Sequence, residues 1–297
     1  MTPAGAGAGP ARPAEGGPFL RRTVPCPVCR KGAPNRSIKV KSYEFVEIEP
    51  DRYPRVVRWR DAAFQAVRPN HYHFWACVAC GFVDEGESFR ARSERAEAPA
   101  GVAELLRKPP PAVALLRGWL DLASPRYDFR TALGIHLLGL AVQDALGAHR
   151  DAVLRASLSL RAAWMFRELD GLGAALARPA ALSSDLAALC SAWPEAPLDE
   201  RACLRRAAES YRAQYDLTRG GADARRDVTL LLLLGEIRRR AGDTELAVGA
   251  LRLASQTLLG PGTGGVSSGE PWRERALEEM RDLRERLRSQ PVQSGPT

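Results

Sequence analysis

Histidine and lysine are scarce: this 297-residue chain has four of each, and the other 39 of its 43 basic residues are arginine. Four histidines leave little material for imidazole acid–base chemistry or for a histidine-rich metal site. The arginine bias, set among much alanine and glycine, reads as the codon usage of a GC-rich genome rather than as selection for phosphate contacts. No apolar run reaches the ~20 residues of a membrane-spanning helix; the greasiest, Val228 to Leu234, stops at Gly235-Glu236. The first residues, rich in Gly, Pro and Ala, have no apolar signal core. The expected setting is therefore the cytoplasm, where thiols stay reduced, with no membrane contact.

Catalytic signatures are missing as well. There is no Gly-x-Ser-x-Gly elbow, no His-Glu-x-x-His and no kinase set. The Gly260–Gly269 stretch lacks the Gly-Lys-Ser/Thr that closes a phosphate loop and reads as a linker. Glu168 and Asp170 read as exposed charges. The expectation is a protein that is not an enzyme.

Six cysteines are present, and four of them form two tight pairs, Cys26-Pro27-Val28-Cys29 and Cys77-Val78-Ala79-Cys80. Two residues between cysteines let one turn aim both sulfurs at one ion, and two such turns complete a tetrahedron. Cys26, Cys29, Cys77 and Cys80 are thus the expected ligands of one structural Zn2+, with no position open for catalysis. Gly81 follows the second pair, where a backbone wrapping a metal needs positive φ. A redox dithiol would sit at a helix start; Arg30 to Arg36 will not begin a helix. Residues 30 to 76 separate the pairs, so the pattern is a ribbon with a long insertion. Strands are expected at Ser37–Lys41, Tyr43–Ile48 and Tyr72–Ala76. His71 and His73 are expected on one strand face beside Trp75 as ordinary half-buried residues.

Beyond a Pro-rich stretch the apolar spacing becomes helical. Segments are expected at about 112–122, 129–146, from 153 onward, at 183–190 behind a Ser183-Ser184-Asp185 cap, at 198–217 with Asp199 as N-cap, and at 271–287. Leu231-x-x-Leu234-Gly235, the Gly242-Asp243 turn and Ala247-x3-Leu251-x2-Ala254 follow the tetratricopeptide template. Leu231, Arg238 and Leu251 stand where Trp, Tyr and Phe are usual. Cys190, Cys203 and His136 read as packing residues.

The expected fold class is mainly α: a tetratricopeptide-like helical stack preceded by a small β zinc-ribbon module. Its expected divisions are a tail at 1–20, the ribbon at 21–95, a linker at 96–111, the helical domain at 112–288 and a tail at 289–297. The net charge of +8 is spread over both halves, which weakens a nucleic-acid argument. The leading expectation is a non-catalytic scaffold with protein partners. The alternatives are nucleic-acid binding through Arg52, Arg55, Arg58, Arg60 and Arg68 with Trp59, Phe64 and Tyr72, and a thiol–zinc redox sensor.

The cysteine turns with Asn70-His71-Tyr72, the Leu160–Glu168 segment and the Leu234–Asp243 segment are similar to an uncharacterised bacterial family, domain of unknown function 2225. The resemblance spans roughly residues 24 to 258. It implies a zinc ribbon joined to tetratricopeptide-like helices, with the four cysteines as the transferable positions, and carries no established activity. The stretch Pro50 to Arg68 departs from the family's pattern.

Overall fold

The structure is a computed structural model, and it describes residues 17–171, 180–219, 223–259 and 271–289. The Gly260–Gly269 stretch, residues 1–16 and residues 290–297 lie outside the described residues.

The N-terminal part is built from three antiparallel two-stranded sheets. Strands β1 (Phe19–Pro25) and β2 (Gly32–Ile38) form the first, β3 (Tyr43–Ile48) and β4 (Pro54–Trp59) the second, and β5 (Phe74–Ala76) and β6 (Val83–Glu85) the third. The first strand begins inside the expected 1–20 tail. The strand expected at Ser37–Lys41 lies earlier, because Lys41 adopts positive φ and residues 39–42 turn the chain. Pro69, with its preset φ, opens a 3₁₀ turn over Pro69–Tyr72 that His73 closes, so β5 begins only at Phe74 and neither His71 nor His73 lies on the strand face expected for them.

Ten helices follow among the described residues. They are α1 (Gly86–Arg95), α2 (Val102–Leu105), α3 (Pro111–Arg117), α4 (Phe129–Ala145), α5 (Ala152–Gly171), α6 (Ala180–Ala192), α7 (Glu200–Thr218), α8 (Ala224–Ala241), α9 (Thr244–Leu259) and α10 (Pro271–Ser289). The chain is thus mainly α, a helical stack behind a small β module. Helix α4 is buried on every side from Thr131 to Gln143 and forms the centre. At Gly139 a Cβ would lie 2.8 Å from the Leu158 methyls of α5, so a side chain there would have to displace Leu158.

Asp199 caps α7, its carboxylate accepting from the Ala202 amide at 2.7 Å, as its place before the helix predicts. The expected cap at Ser183–Asp185 is corrected: α6 starts at Ala180, and Asp185 pairs with Arg130 at 2.6 Å instead. Gly242, with φ of 86°, ends α8, and α9 returns antiparallel to it. Gly235 faces both α9 and α10: a Cβ there would lie 3.8 Å from Ala250 and 2.8 Å from Leu283.

The β module shares its core with the helices. Tyr72 stacks on Tyr127 at 4.9 Å, and Phe74 meets His136 edge-on at 5.0 Å. The stretch expected as a linker, 96–111, contains α2 and buries Val102 and Leu106.

The insertion between the cysteine pairs supplies the longest reach. The β3–β4 hairpin carries Glu49 and Asp51 at its tip into the helical stack, where they meet Arg167 of α5 and Arg240 of α8. Two helices far apart in sequence thus present charged side chains to one turn.

Candidate metal centre

Each cysteine pair occupies the turn of a hairpin. Pro25 pairs with Gly32 where β1 meets β2, and Ala76 pairs with Val83 where β5 meets β6. The two turns repeat the same hydrogen bonds. The Cys26 amide donates to the Lys31 carbonyl at 2.8 Å, and the Cys77 amide donates to the Phe82 carbonyl at 2.9 Å. The Arg30 amide returns to the Cys26 carbonyl at 3.0 Å, and the Gly81 amide to the Cys77 carbonyl at 2.7 Å. Arg30 and Gly81 stand at equivalent places with φ of 61° and 92°. The expected need for positive φ after a cysteine pair therefore holds in both turns, once with an arginine.

The turns are brought face to face by Asn35, which is fully buried. Its side-chain amide donates to the Ala76 carbonyl at 3.1 Å, and its oxygen accepts from the Ala76 amide at 2.9 Å. One side chain thus imitates a strand between β2 and β5. Helices hold the outside. Ser93 of α1 donates to the Pro25 carbonyl at 2.6 Å, and Arg117 of α3 donates to the Val78 carbonyl at 2.9 Å.

The result places all four predicted ligands in one cluster, with their sulfurs within 4.8 Å of one another. Cys26 and Cys80 sulfurs lie 3.6 Å apart, as do those of Cys29 and Cys77. A tetrahedral zinc with sulfurs at about 2.3 Å requires separations of about 3.8 Å, so the spacing fits. The protonation chemistry fits too. Hydrogen bonds from Cys26 and Cys80 draw the Cys77 thiol down to about 2, while sharing with Cys77 and burial push Cys26 up to about 12. Cys80 is pushed up as well, first by Cys26 and then by Cys77. Without a cation one thiolate excludes the others, and a divalent ion removes that conflict. The Val28 amide points at the Cys26 sulfur at 3.4 Å, a donor suited to a metal-bound thiolate.

The sequence profile of a family described as "uncharacterized protein conserved in bacteria (DUF2225)" matches residues 19–260. The chain belongs to this family. No curated protein and no solved structure matches the chain. Within this DUF2225 chain, the remaining sequence candidates fall outside the cluster. Cys190 is exposed on α6, and Cys203 is buried in α7 with its thiol 3.2 Å from the Pro197 carbonyl.

The histidines also have other partners. His71 meets Glu168 at 3.3 Å, so Glu168 is largely buried and paired rather than an exposed charge. His73 and Ser157 both meet Glu85 Oε1, at 3.4 and 3.1 Å. The carboxylate, not the imidazole, therefore takes the hydroxyl, unlike a nucleophile–base–orienter chain. Burial pushes His73 below its ordinary value, against the pull of Glu85. His136 is fully buried, its Nδ1 donating to the Ala132 carbonyl at 2.7 Å.

The arginines considered for nucleic acid are engaged in part. Arg55 pairs with Glu47 at 3.0 Å, Arg58 with Glu44 at 2.7 Å, and Arg52 with Glu279 at 3.9 Å. Trp59 and Tyr72 are buried in the core. No helix among the described residues is long and apolar enough to cross a membrane.

Proposed function

We propose that this protein is a non-catalytic adaptor in which one structural zinc fixes the ribbon against a helical stack that docks protein partners. The observation that carries the reading is the closed four-cysteine cluster, whose turns are gripped by α1 and α3. Four thiolates fill a zinc ion's coordination shell and leave no place for substrate. The α8–α9 pair, with Gly235 against small residues, supports a tetratricopeptide-like packing, and such stacks offer extended binding faces. The cytoplasm is the fitting compartment, because a reducing medium keeps the thiols available for metal.

Protein is favoured over nucleic acid as partner because Glu44 and Glu47 neutralise hairpin arginines and the aromatics Trp59 and Tyr72 are buried. The test is a tagged purification from the native cell with and without nuclease, followed by identification of what co-purifies. Protein partners that survive nuclease support the reading. Capture of nucleic acid alone, with binding that weakens steeply in salt, overturns it.

A further inference from the structure

Gly249 sits in the middle of α9, where glycine costs helix stability relative to alanine. The other helix-interior glycines have a reason within the molecule. A Cβ would lie 3.1 Å from Leu120 at Gly134, 2.8 Å from Leu158 at Gly139 and 2.8 Å from Leu283 at Gly235. At Gly249 it would meet nothing within 4 Å. Among the described residues, Gly249 is thus the one helix-interior glycine that no neighbour requires.

The space above Gly249 belongs to a groove. Helices α7 and α9 both pack on α8, and a gap of about 530 Å³ lies between them. Leu234 and Ala250, both buried, form its floor. Leu246 and Leu253 stand on either side of Gly249, the first 56 % exposed and the second half-buried. Positions 246, 249 and 253 follow the i, i+3, i+7 spacing of one helix face. The wall is therefore half of a helix–helix seam, two leucine ridges with a hole between them. From Glu245 to Gln256 it runs about 17 Å, or three helical turns.

Arginines rim the groove: Arg212, Arg238 and Arg252 line it against the single carboxylate of Glu245. Two of these arginines have acidic partners, but each partner is shared. Asp216 pairs with Arg212 at 2.8 Å and Arg219 at 3.8 Å. Asp243 pairs with Arg238 at 2.9 Å and Arg205 at 3.2 Å. With Arg252 and Glu245 included, five arginines face three carboxylates, and a surplus of two positive charges surrounds an apolar floor.

We propose that the α7–α9 groove docks an acidic amphipathic helix of a partner protein. The leucine spacing selects a helix, and the arginine surplus selects carboxylates along its flanks. A large apolar side chain of the partner seats in the hole over Gly249, between Leu246 and Leu253. A side chain at Gly249 would occupy that hole, which is why the helix carries none there. A nucleic-acid backbone would match the rim but not the leucines. The proposal rests on the adaptor reading above and names where, and by what chemistry, the partner binds.

The probe is a labelled synthetic helix of about three turns, with leucine at i, i+3, i+4 and i+7 and glutamate elsewhere, titrated against the full chain. A control helix carries lysine in place of glutamate. The glutamate helix is expected to bind at least about tenfold tighter than the control, with an affinity that falls in salt. Gly249→Trp fills the hole and should weaken binding at least about tenfold, with circular dichroism and melting unchanged. Gly249→Ala should melt above the wild type, since alanine is the better helix former. Equal binding of the two helices, binding of neither, or undiminished binding to folded Gly249→Trp overturns the proposal. So does an alanine variant that melts lower, because the glycine would then serve the fold.

If Gly249→Trp fails to fold, Arg252→Glu decides. It should weaken the glutamate helix about fivefold and strengthen the lysine helix; unchanged affinities overturn the proposal. In the native-cell purification, partners held equally by wild type and Gly249→Trp refute the groove and leave the adaptor standing. Docking of the glutamate helix with no native protein partner does the reverse. A dimer of the chain that Gly249→Trp renders monomeric would assign the groove to a second copy and overturn the proposal.

Discussion

Asp51, at a hairpin tip within the ribbon's long insertion, places its fully buried carboxylate 2.6 Å from the Arg167 guanidinium of helix α5. Burial alone would depress the Arg167 pKa, but the hydrogen bond and charge of Asp51, with Glu200, raise it instead. Arg167→Met therefore leaves a buried carboxylate short of its counter-ion and should cost roughly 3–5 kcal/mol, as should Asp51→Asn from the other side. The double change should cost less than the sum of the two. Urea unfolding of all four proteins checks this; additive losses would show that the two groups act independently.

Asn35 is the second place where one side chain joins two elements. Its amide is fully buried and serves both backbone groups of Ala76. Asn35→Leu strands a buried donor and acceptor, and about 2–4 kcal/mol of stability should disappear. Because Ala76 precedes Cys77, the same variant should also bind metal more weakly. A competitive chelator titration measures that directly, and unchanged affinity would separate the Asn35 bridge from the metal turns.

Gly81 should resist substitution. Its φ of 92° suits glycine, and a Cβ would press on Val113 and Arg117 at 3.1 and 3.2 Å. Gly81→Ala should lower stability by about 1–2 kcal/mol, mostly from the left-handed backbone. An equally stable alanine variant would contradict the backbone strain assigned to this position.

His136 gives a pH dependence of definite sign. Burial pushes its imidazole from the ordinary 6.5 down to about 3, opposed only in part by the Ala132 carbonyl. Nε2 is buried without a hydrogen-bond partner, so a proton there would have no acceptor. The unfolded chain takes up that proton below pH 6.5 and the folded one does not. Stability from this group is thus present above 6.5 and lost as pH falls toward 3. His136→Leu should flatten the stability–pH slope by up to about 1.4 kcal/mol per pH unit in that window. The comparison is made at saturating metal, and identical slopes in both proteins would contradict it.

How much of this is legible in the sequence differs by element. The four ligands are plain because Cys-x-x-Cys encodes a local turn, and local turns need no knowledge of the fold. Helices α4, α7 and α9 are legible from apolar spacing, and the Asp199 cap from its position before α7. Helix α1 is not, since of its ten residues only Phe89 and Ser93 are buried and no stripe results. The start of α6 is obscured because Ser183-Ser184-Asp185 looks like a cap, while Asp185 answers to Arg130 on another helix. The same holds at the hairpin. Nothing local to Glu49 and Asp51 reveals that Arg167 and Arg240, far along the chain, surround them. Glu168 reads as exposed for the same reason: His71, its partner, is 97 residues away.

The proposed adaptor rests on a metal held by Cys26, Cys29, Cys77 and Cys80. The decisive measurement is elemental analysis of the full chain purified without added metal, together with Cys77→Ser. One equivalent of zinc per wild-type chain is predicted, with loss of that zinc and of ribbon folding in the variant. A wild type carrying no bound metal, or a Cys77→Ser protein as stable and as well folded as the wild type, would contradict it.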